Sequence, residues 1–262
     1  DGWRMRATAG PVPENIADRT IPAQVPGSTH LDLLAAELIP DPYLDTVETE
    51  LAWMHRTEWR YELDFDAGAP APEERVDLVF DGLDTVTTIT LNGRELGRTA
   101  NMHRGHRFDV RDVLEQGTNT LTVSFHSALE HAEEQQEALG ARPHVNTHPY
   151  NAIRKMACSF GWDWGPDLQT AGIWRPVRLE RWRTARLGQV RPLVTVDPDG
   201  TGRVEVHADI EYADTASGNP GVTLTAEVAG RRVLVDVPSG ARTATAVVEV
   251  PDAPLGWPGG DG

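Results

Sequence analysis

The segment Phe160–Pro166 reads FGWDWGP and places one carboxylate, Asp163, between two tryptophans, Trp162 and Trp164. Indole rings offer flat apolar faces, and an ionised carboxylate accepts strong hydrogen bonds. These three side chains could therefore bind a ligand that has an apolar face and a polar edge. Alternatively, both rings are packing residues and the aspartate caps a turn. The flanking glycines and proline favour a loop, because in a regular strand the carboxylate would point away from both rings.

Two histidines precede this segment, in the sequence RPHVNTHPY. His144 and His148 have the i, i+4 spacing of a metal-binding pair on a helix. However, Pro143 and Pro149 disfavour a helix there, and no acidic third ligand follows nearby. We therefore predict two loop histidines, no metal site and no cofactor.

Three further groups near the segment could influence its chemistry. Arg154 and Lys155 precede Asp163 closely enough for one cation to keep it ionised, although pairing with the many surface carboxylates is an equal alternative. Cys158 has no adjacent base in the sequence, so we predict a small buried apolar group rather than a nucleophile. His30, near the start of a predicted helix, is expected to be structural.

Composition limits the classes of partner. The chain has 262 residues, a formal net charge of −16 and a pI near 4.9. This charge would repel nucleic acid and anionic membranes, and no apolar run approaches the roughly 20 residues that span a bilayer. The single cysteine excludes an intramolecular disulfide. No leader is visible, so we predict a cytoplasmic protein, with a cleaved signal peptide as the alternative.

Short runs of alternating apolar and polar residues dominate the chain and predict an all-β fold. Val76–Phe80, Leu121–Phe125 and Val204–Ile210 are examples. Strands with one buried face, separated by turn residues, are typical of antiparallel sandwiches. Asn92-Gly93, between two such runs, predicts a two-residue type I′ hairpin.

Two helices interrupt the predicted strands. Ser28 can cap the first, in STHLDLLAAELIP, and Ser127 with Glu130 forms a capping box for the second, SALEHAEEQQEALG. Gly140 ends the second helix. The leucines expected on one face of the first helix are Leu31, Leu34 and Leu38.

A change in sequence character after Trp182 indicates two domains. All but one of the eight tryptophans lie at or before this position, and a simpler series of strands follows it. We predict domains over 1–182 and 183–262, the second with about four strands, fewer than the roughly seven of an immunoglobulin-type sandwich. The aromatic residues expected in the core or between domains are Trp53, Trp59, Tyr61 and Trp174.

Three segments carry a resemblance to a known family. Val25–Met54, Val79–Gly97 and Arg154–Glu180 resemble, in order and approximate spacing, the start of β-mannosidases of glycoside hydrolase family two. The resemblance covers nearly all of residues 3–182 and is most specific in the last segment. Beyond it, PLGWPGG at Pro254–Gly260 resembles a motif just before the last strand of that family's immunoglobulin-like domain.

The resemblance implies a galactose-binding-like jelly roll over 1–182, then an immunoglobulin-like sandwich over 183–262 that stops before its last strand. In the family, a following (β/α)₈ barrel holds both catalytic glutamates. A chain that ends at Gly262 would stop before that barrel. By this interpretation it contains no catalytic residue and should be inactive alone.

The resemblance also assigns roles to the FGWDWGP segment. Asp163 would bind hydroxyls of the terminal mannose, with Trp162 and Trp164 as wall and support of the pocket. The implied partners are a β-mannoside or mannose-terminated oligosaccharide and the absent barrel in cis. The full-length protein would be a retaining exo-β-mannosidase. The alternatives are another family-two exo-glycosidase, such as a β-galactosidase, β-glucuronidase or exo-glucosaminidase, and a free-standing carbohydrate-binding module.

Overall fold

The computed structural model divides the chain into two compact units. The first comprises Asp1–Ala69 and Val76–Glu180, and the second comprises Pro70–Arg75 and Arg181–Gly262. The residues that the structure describes are 2–214, 218–254 and 256. None of the helices among them is long and apolar enough to cross a membrane.

Strands dominate the described residues, with a few short helices. The strands are β1 (Arg4–Ala9), β2 (Ile21–Pro22), β3 (Glu58–Ala67), β4 (Arg75–Phe80), β5 (Val86–Leu91), β6 (Arg94–Ala100), β7 (His106–Asp109), β8 (Gly117–Phe125), β9 (Val177–Trp182), β10 (Ala185–Val196), β11 (Gly202–Tyr212), β12 (Val222–Val228), β13 (Arg231–Val237) and β14 (Thr243–Val250). The α-helices are α1 (Glu14–Ala17), α2 (Thr29–Ala35), α3 (Val47–Glu50) and α4 (Ala128–Leu139), and the 3₁₀ turns are Ala52–Arg56, Tyr150–Ala152 and Ala157–Phe160.

The first unit is a two-layer β-sandwich. One sheet has the strand order β2-β1-β3-β8-β5-β6, and the other has the order β7-β4-β9. Tyr61 and Val123 of the larger sheet and Val76 and Phe80 of the smaller sheet belong to one fully buried cluster. The two sheets therefore enclose a single core, and the predicted all-β sandwich is confirmed.

Alternating burial along the strands explains why the predicted periodicity succeeded. In β8, Leu121, Val123 and Phe125 are buried while the residues between them are partly exposed. The Asn92-Gly93 turn joins antiparallel β5 and β6, and both residues have positive φ, 51° and 79°. A type I′ turn requires positive φ at both positions, so the predicted hairpin is confirmed.

The predicted aromatic core residues are mostly confirmed. Trp59 is 1% exposed and Tyr61 is fully buried. Trp53 packs against the same core, with its ring centroid 6.0 Å from that of Trp59. Trp174 is half-buried, and its ring lies under the guanidinium carbon of Arg175 at 4.2 Å.

The first predicted helix exists as α2, and the leucines expected on one of its faces do not form its buried face. Leu31 and Leu34 are exposed, whereas Asp32 and Leu33 are buried. The Asp32 carboxylate turns inward because it accepts hydrogen bonds from the Tyr61 hydroxyl and the Gln24 backbone, both at 2.8 Å.

Only the second of the two predicted helices has the predicted side-chain cap at its N-terminus. Ser28 precedes α2 without a side-chain capping bond. In α4, the Ser127 hydroxyl accepts from the Glu130 backbone at 3.1 Å, as predicted. This helix ends at Leu139, before Gly140, which has a φ of 85°.

The second unit has a separate core. Its strands form a three-stranded sheet, β10-β11-β14, and a two-stranded sheet, β12-β13. Ala208 and Val248 of the first sheet and Leu224 and Ala226 of the second are buried in one cluster. Of the PLGWPGG segment, Leu255 and residues 257–260 lie outside the described residues.

Candidate functional site

The residues around Asp163 form a closed turn at the surface of the first unit. The Trp162 amide donates to the Gly165 carbonyl at 3.0 Å, and the Gly165 amide donates to the Trp162 carbonyl at 3.2 Å. Asp163 and Trp164 therefore lie at the tip of a four-residue turn, hereafter the Trp162–Gly165 turn. The predicted loop, rather than a regular strand, is confirmed.

Neither tryptophan of the turn is buried in the core of this unit. Trp164 is 73% exposed and Trp162 is 37% exposed. The rings of Trp162 and Tyr150 pack in a T-shaped arrangement, with centroids 5.7 Å apart. Asp163 is exposed, and within the part of the chain that the structure describes its side chain makes no hydrogen bond. An exposed carboxylate beside two accessible indoles can accept hydrogen bonds from a ligand that stacks on a ring.

Two cavities with different linings flank the turn. The apolar cavity, of about 340 Å³, is lined by Leu31, Leu34, Cys158, Trp164 and Leu168 among others. Cys158 is half-buried rather than fully buried, and it is an apolar lining group as expected. Leu31 and Leu34, two of the leucines expected on one face of the first helix, thus line this cavity.

The polar cavity, of about 580 Å³, lies on the other side of the turn and is lined by Trp162, Asp163, Asn146, His148 and Asp167 among others. Asn146 fixes the start of the turn, because its side-chain amide donates to the carbonyls of Phe160 at 3.2 Å and Gly161 at 3.0 Å. This cavity therefore brings polar groups of two loop segments to the turn.

A buried ion pair fixes the segment that carries the turn. The Lys155 ammonium contacts both oxygens of the Asp84 carboxylate, at 2.5 and 2.6 Å, and donates to the Thr170 carbonyl at 2.7 Å. The Thr170 hydroxyl donates to Asp84 at 2.7 Å, and the Thr85 hydroxyl donates to the same carboxylate. The Lys155 side chain is fully inaccessible to solvent. Burial lowers the pKa of Lys155, an effect opposed by the Asp84 charge.

The backbone strengthens this attachment at Gly172. Asp84 and Gly172 exchange two backbone hydrogen bonds, each of 3.0 Å. Gly172 has a φ of 149°, and a Cβ there would lie 2.8 Å from the Gly27 carbonyl oxygen. Only glycine fits this close approach. Asp84 therefore binds the chain both before the turn, at Lys155, and after it, at Thr170 and Gly172.

The structure contradicts both roles predicted for Lys155, an ion pair with Asp163 and an ion pair with a surface carboxylate. Its partner is neither Asp163 nor a surface carboxylate but the buried Asp84, 71 residues away. Arg154 is exposed. Neither Arg154 nor Lys155 forms a hydrogen bond with the Asp163 side chain among the described residues.

A second polar cluster lies directly after the turn, around Asp167. Its carboxylate accepts from the His148 ring nitrogen Nε2 at 2.7 Å and from the Gln169 amide at 3.2 Å. Its backbone carbonyl lies 3.2 Å from Nε2 of His55, and its backbone amide donates to Glu48 at 2.9 Å. His144 lies outside this cluster and contacts the Asn146 carbonyl, at 2.7 Å.

The sequence interpretation missed Asp84, Asp167, His55 and Tyr150. No local pattern identifies them, because their partners at the turn lie far away along the chain. His55, for example, is 112 residues from Asp167. Asp84, in the short connection between the apolar runs of β4 and β5, was the one available signal, since a buried charge needs a partner.

His30 is a buried histidine whose two ring nitrogens have no hydrogen-bond partner among the described residues. It is 6% exposed and borders the apolar cavity. Burial, aided by the positive charges of His55 and Lys155, lowers its pKa from 6.5 to about 4. His30 is therefore neutral in the folded chain near pH 7.

Comparison with known proteins places this site in a family. The glycosyl hydrolase 2 galactose-binding domain-like family matches residues 3–175, which include the turn, Asp84 and Lys155. The chain belongs to this family. The galactose-binding-like sandwich that the sequence predicts for the first domain is thus confirmed.

Relatives of this family member are named β-mannosidases. β-Mannosidase B of Aspergillus oryzae is 33% identical over 267 residues, covering 100% of this chain and 31% of the fungal protein. Mouse β-mannosidase is 34% identical over 215 residues, covering 78% of this chain and 24% of the mouse protein. The chain therefore spans less than a third of the length of these curated relatives.

Solved structures agree with this assignment. The β-D-mannosidase of Dictyoglomus thermophilum matches with a TM-score of 0.82 and 30% identity over 98% of this chain and 31% of that protein. An exo-chitosanase of Amycolatopsis orientalis matches with a TM-score of 0.69 and 19% identity over 99% of this chain and 29% of its own. The second match shows a shared fold alone. The predicted resemblance to β-mannosidases is confirmed.

Removing the cation of the buried pair should destabilise the first unit. We expect Lys155→Met to lower the free energy of unfolding by about 3–5 kcal/mol, because Asp84 would remain buried without a counter-charge. Chemical unfolding followed by tryptophan fluorescence measures this loss. The matched control is Arg98→Met, which removes an exposed pair with Glu95 and should cost at most about 1 kcal/mol.

A double variant separates the lost charge from lost packing. Adding Asp84→Leu to Lys155→Met removes the unpaired carboxylate and should recover part of the stability. If Lys155→Met alone unfolds within about 1 kcal/mol of the wild type, the pair does not determine the stability of this unit.

Acidification should destabilise the fold through His30. The unfolded chain protonates this ring near pH 6.5, whereas the folded chain does so near 4. The unfolded state therefore binds the proton first, and stability falls as the pH drops from 6.5 towards 4. Between pH 7 and about pH 4.5, the wild type should lose about 2–3 kcal/mol more than His30→Leu. Identical pH dependence of the two unfolding curves would show that His30 titrates normally.

Proposed function

We propose that this chain is part of a longer retaining exo-β-mannosidase, which removes terminal β-linked mannose. The observation that supports this proposal most strongly is 30–34% identity to β-mannosidases from a fungus, a mammal and a bacterium. Identity to the exo-chitosanase of the same fold is 19%. We therefore base the proposed function of the whole protein on sequence similarity rather than on the shared fold.

The chain contributes a scaffold and the Trp162–Gly165 turn to the proposed active site. A pyranose has C–H faces that stack on indole rings and hydroxyl edges that donate to a carboxylate. Trp162 and Trp164 provide accessible rings, and Asp163 provides a carboxylate without a partner among the described residues. We assign hydroxyl binding to Asp163 and shaping of the pocket to the two tryptophans.

The bond-breaking groups lie elsewhere in the proposed enzyme. Retaining hydrolysis needs two carboxyl groups about 5–5.5 Å apart, one as acid and base and the other as nucleophile. We assign both to a (β/α)₈ barrel in the rest of the protein, and none to this chain. The turn would then act by binding the sugar more tightly as the oxocarbenium-like transition state forms, which raises kcat/KM.

The remaining assignments concern the organisation of the protein. We propose that residues 1–182 form the sugar-binding-type jelly roll and that residues 183–262 form part of an immunoglobulin-like sandwich. The separate core shared by β11, β12 and β14 supports the second assignment. The barrel in cis is the proposed protein partner, with neither nucleic acid nor membrane as a ligand. The cytoplasmic location stays a prediction from the sequence.

The full-length gene product should hydrolyse a chromogenic β-mannoside in preference to the matching β-galactoside, β-glucuronide and β-glucosaminide. We expect kcat/KM for the β-mannoside to exceed each of the others by at least about tenfold, since pocket contacts that fit one sugar leave polar groups unpaired with another. The four initial rates on one enzyme preparation measure this preference. A preferred β-glucosaminide or β-glucuronide would favour a different exo-glycosidase, and binding without any turnover would favour a carbohydrate-binding module.

Asp163 should matter for turnover and little for folding. In the full-length protein, Asp163→Ala should reduce kcat/KM for a β-mannoside by about 10²–10³, because charge-assisted contacts of about 1.5–3 kcal/mol each are lost and about 1.4 kcal/mol corresponds to tenfold. Its melting temperature should change little, because the carboxylate is exposed. Steady-state kinetics and thermal unfolding of the same preparation measure both effects.

Controls distinguish a sugar contact from a structural cap. Asp18→Ala removes another exposed carboxylate of the first unit and should leave kcat/KM unchanged. Asp163→Asn keeps the shape and removes the charge, so its kcat/KM should fall between wild type and alanine. If Asp163→Ala lowers the melting temperature and leaves kcat/KM normal, the sugar-binding role of the turn is wrong.

A further inference from the structure

The cluster after the turn has the composition of a metal-binding site. His55, His148 and Asp167 each offer one ligand atom, and these atoms all lie within 4.8 Å of one another. Nε2 of His148 is 2.7 Å from the Asp167 carboxylate, and Nε2 of His55 is 3.7 Å from it. The three residues come from separate segments, so the fold rather than local spacing brings them together.

We propose that His55, His148 and Asp167 bind a transition-metal dication of the Zn²⁺ type. Two imidazole nitrogens and one carboxylate are a donor set that favours zinc over magnesium or calcium, which prefer oxygen ligands. Three protein ligands would leave the fourth tetrahedral position to water. To surround an ion, the hydrogen-bonded His148 and Asp167 would move apart slightly and His55 would move closer.

The structure combines one fixed ligand with two adjustable ligands. His55 is buried in the 3₁₀ turn Ala52–Arg56, and its carbonyl accepts from the Ser127 hydroxyl at 2.6 Å. His148 and Asp167 lie in loop segments and are half-buried. Small shifts in those loops can complete the coordination without a change in the sheets.

The polar surroundings suit a hydrated cation. The Gln169 side chain is 4% exposed and donates to Asp167, yet its carbonyl oxygen has no hydrogen-bond partner among the described residues. The buried Asn146 side-chain oxygen, in a residue lining the polar cavity, also has no partner there. Water molecules bound to a cation would supply the missing donors. The net charge of −16 favours cation binding as well.

This proposal differs from the sequence interpretation, which considered His144 with His148 and predicted no metal. The second histidine is His55, and the third ligand is Asp167, 19 residues after His148. The proposed site borders the same cavity as Asp163. It is independent of the proposed function, because its test requires no sugar.

The test is calorimetric titration of the 262-residue chain with Zn²⁺ alone, after removal of metals with a chelator. We expect binding of one equivalent, with no comparable binding of Mg²⁺. His148→Ala and Asp167→Asn should each weaken Zn²⁺ binding by about tenfold or more. His144→Ala is the matched control, since this partly exposed histidine lies in the same loop outside the cluster, and it should bind like the wild type.

Visible absorption after Co²⁺ addition provides a second readout, because a site with few ligands and mixed nitrogen and oxygen donors absorbs more strongly than hydrated Co²⁺. The wild type and His144→Ala should show this absorption, and His148→Ala should lose it. Equal Zn²⁺ affinity of the wild type and His148→Ala would place the ion on other surface histidines and overturn the proposal. The absence of both binding heat and Co²⁺ absorption would overturn it too.

Discussion

Lys155 and Asp84 are both removed from water, and this pair determines how the surface turn attaches to the sandwich. Each charge loses several kcal/mol of hydration on burial, so neither is tolerated without the other. Thr170 and Gly172, which follow the turn in the sequence, also form hydrogen bonds with Asp84. Both ends of the segment that carries the turn are therefore attached to the sandwich at the same buried residue, Asp84.

This attachment explains how an exposed turn can have a defined position. The base of the turn is further fixed by the Asn146 side chain, before it, and by the Asp167 backbone amide, which donates to Glu48, after it. Asp163 and Trp164 extend from this base to solvent, where a ligand can reach them. Binding groups on a short turn with a rigid base lose little conformational entropy when a ligand binds. The same arrangement would separate stability, which depends on the base, from the sugar recognition that we propose for the tip.

Local patterns predicted what local physics determines. Alternating burial identified strands such as β8, and the Asn92-Gly93 pair identified a hairpin because only such residues adopt positive φ cheaply. The inward face of α2 could not be predicted from its leucines, since the Tyr61 hydroxyl brings Asp32 into the interior. The partners of Lys155 and of Asp167 could not be predicted, because tertiary folding brings together residues that are 71 and 112 positions apart. The flanking tryptophans made Asp163 a candidate ligand-binding residue, whereas no neighbouring pattern indicated the residues that hold the turn in place.

The proposed function of the turn depends on contact between the Asp163 carboxylate and the sugar, and one crystal structure can test that contact directly. In a crystal structure of the full-length protein with a bound mannose-configured inhibitor, the Asp163 carboxylate should lie within about 2.7–2.9 Å of a sugar hydroxyl. Trp162 or Trp164 should border the same pocket, and the Lys155–Asp84 pair should remain intact. An inhibitor bound in the active site with Asp163 directed into solvent would contradict the account.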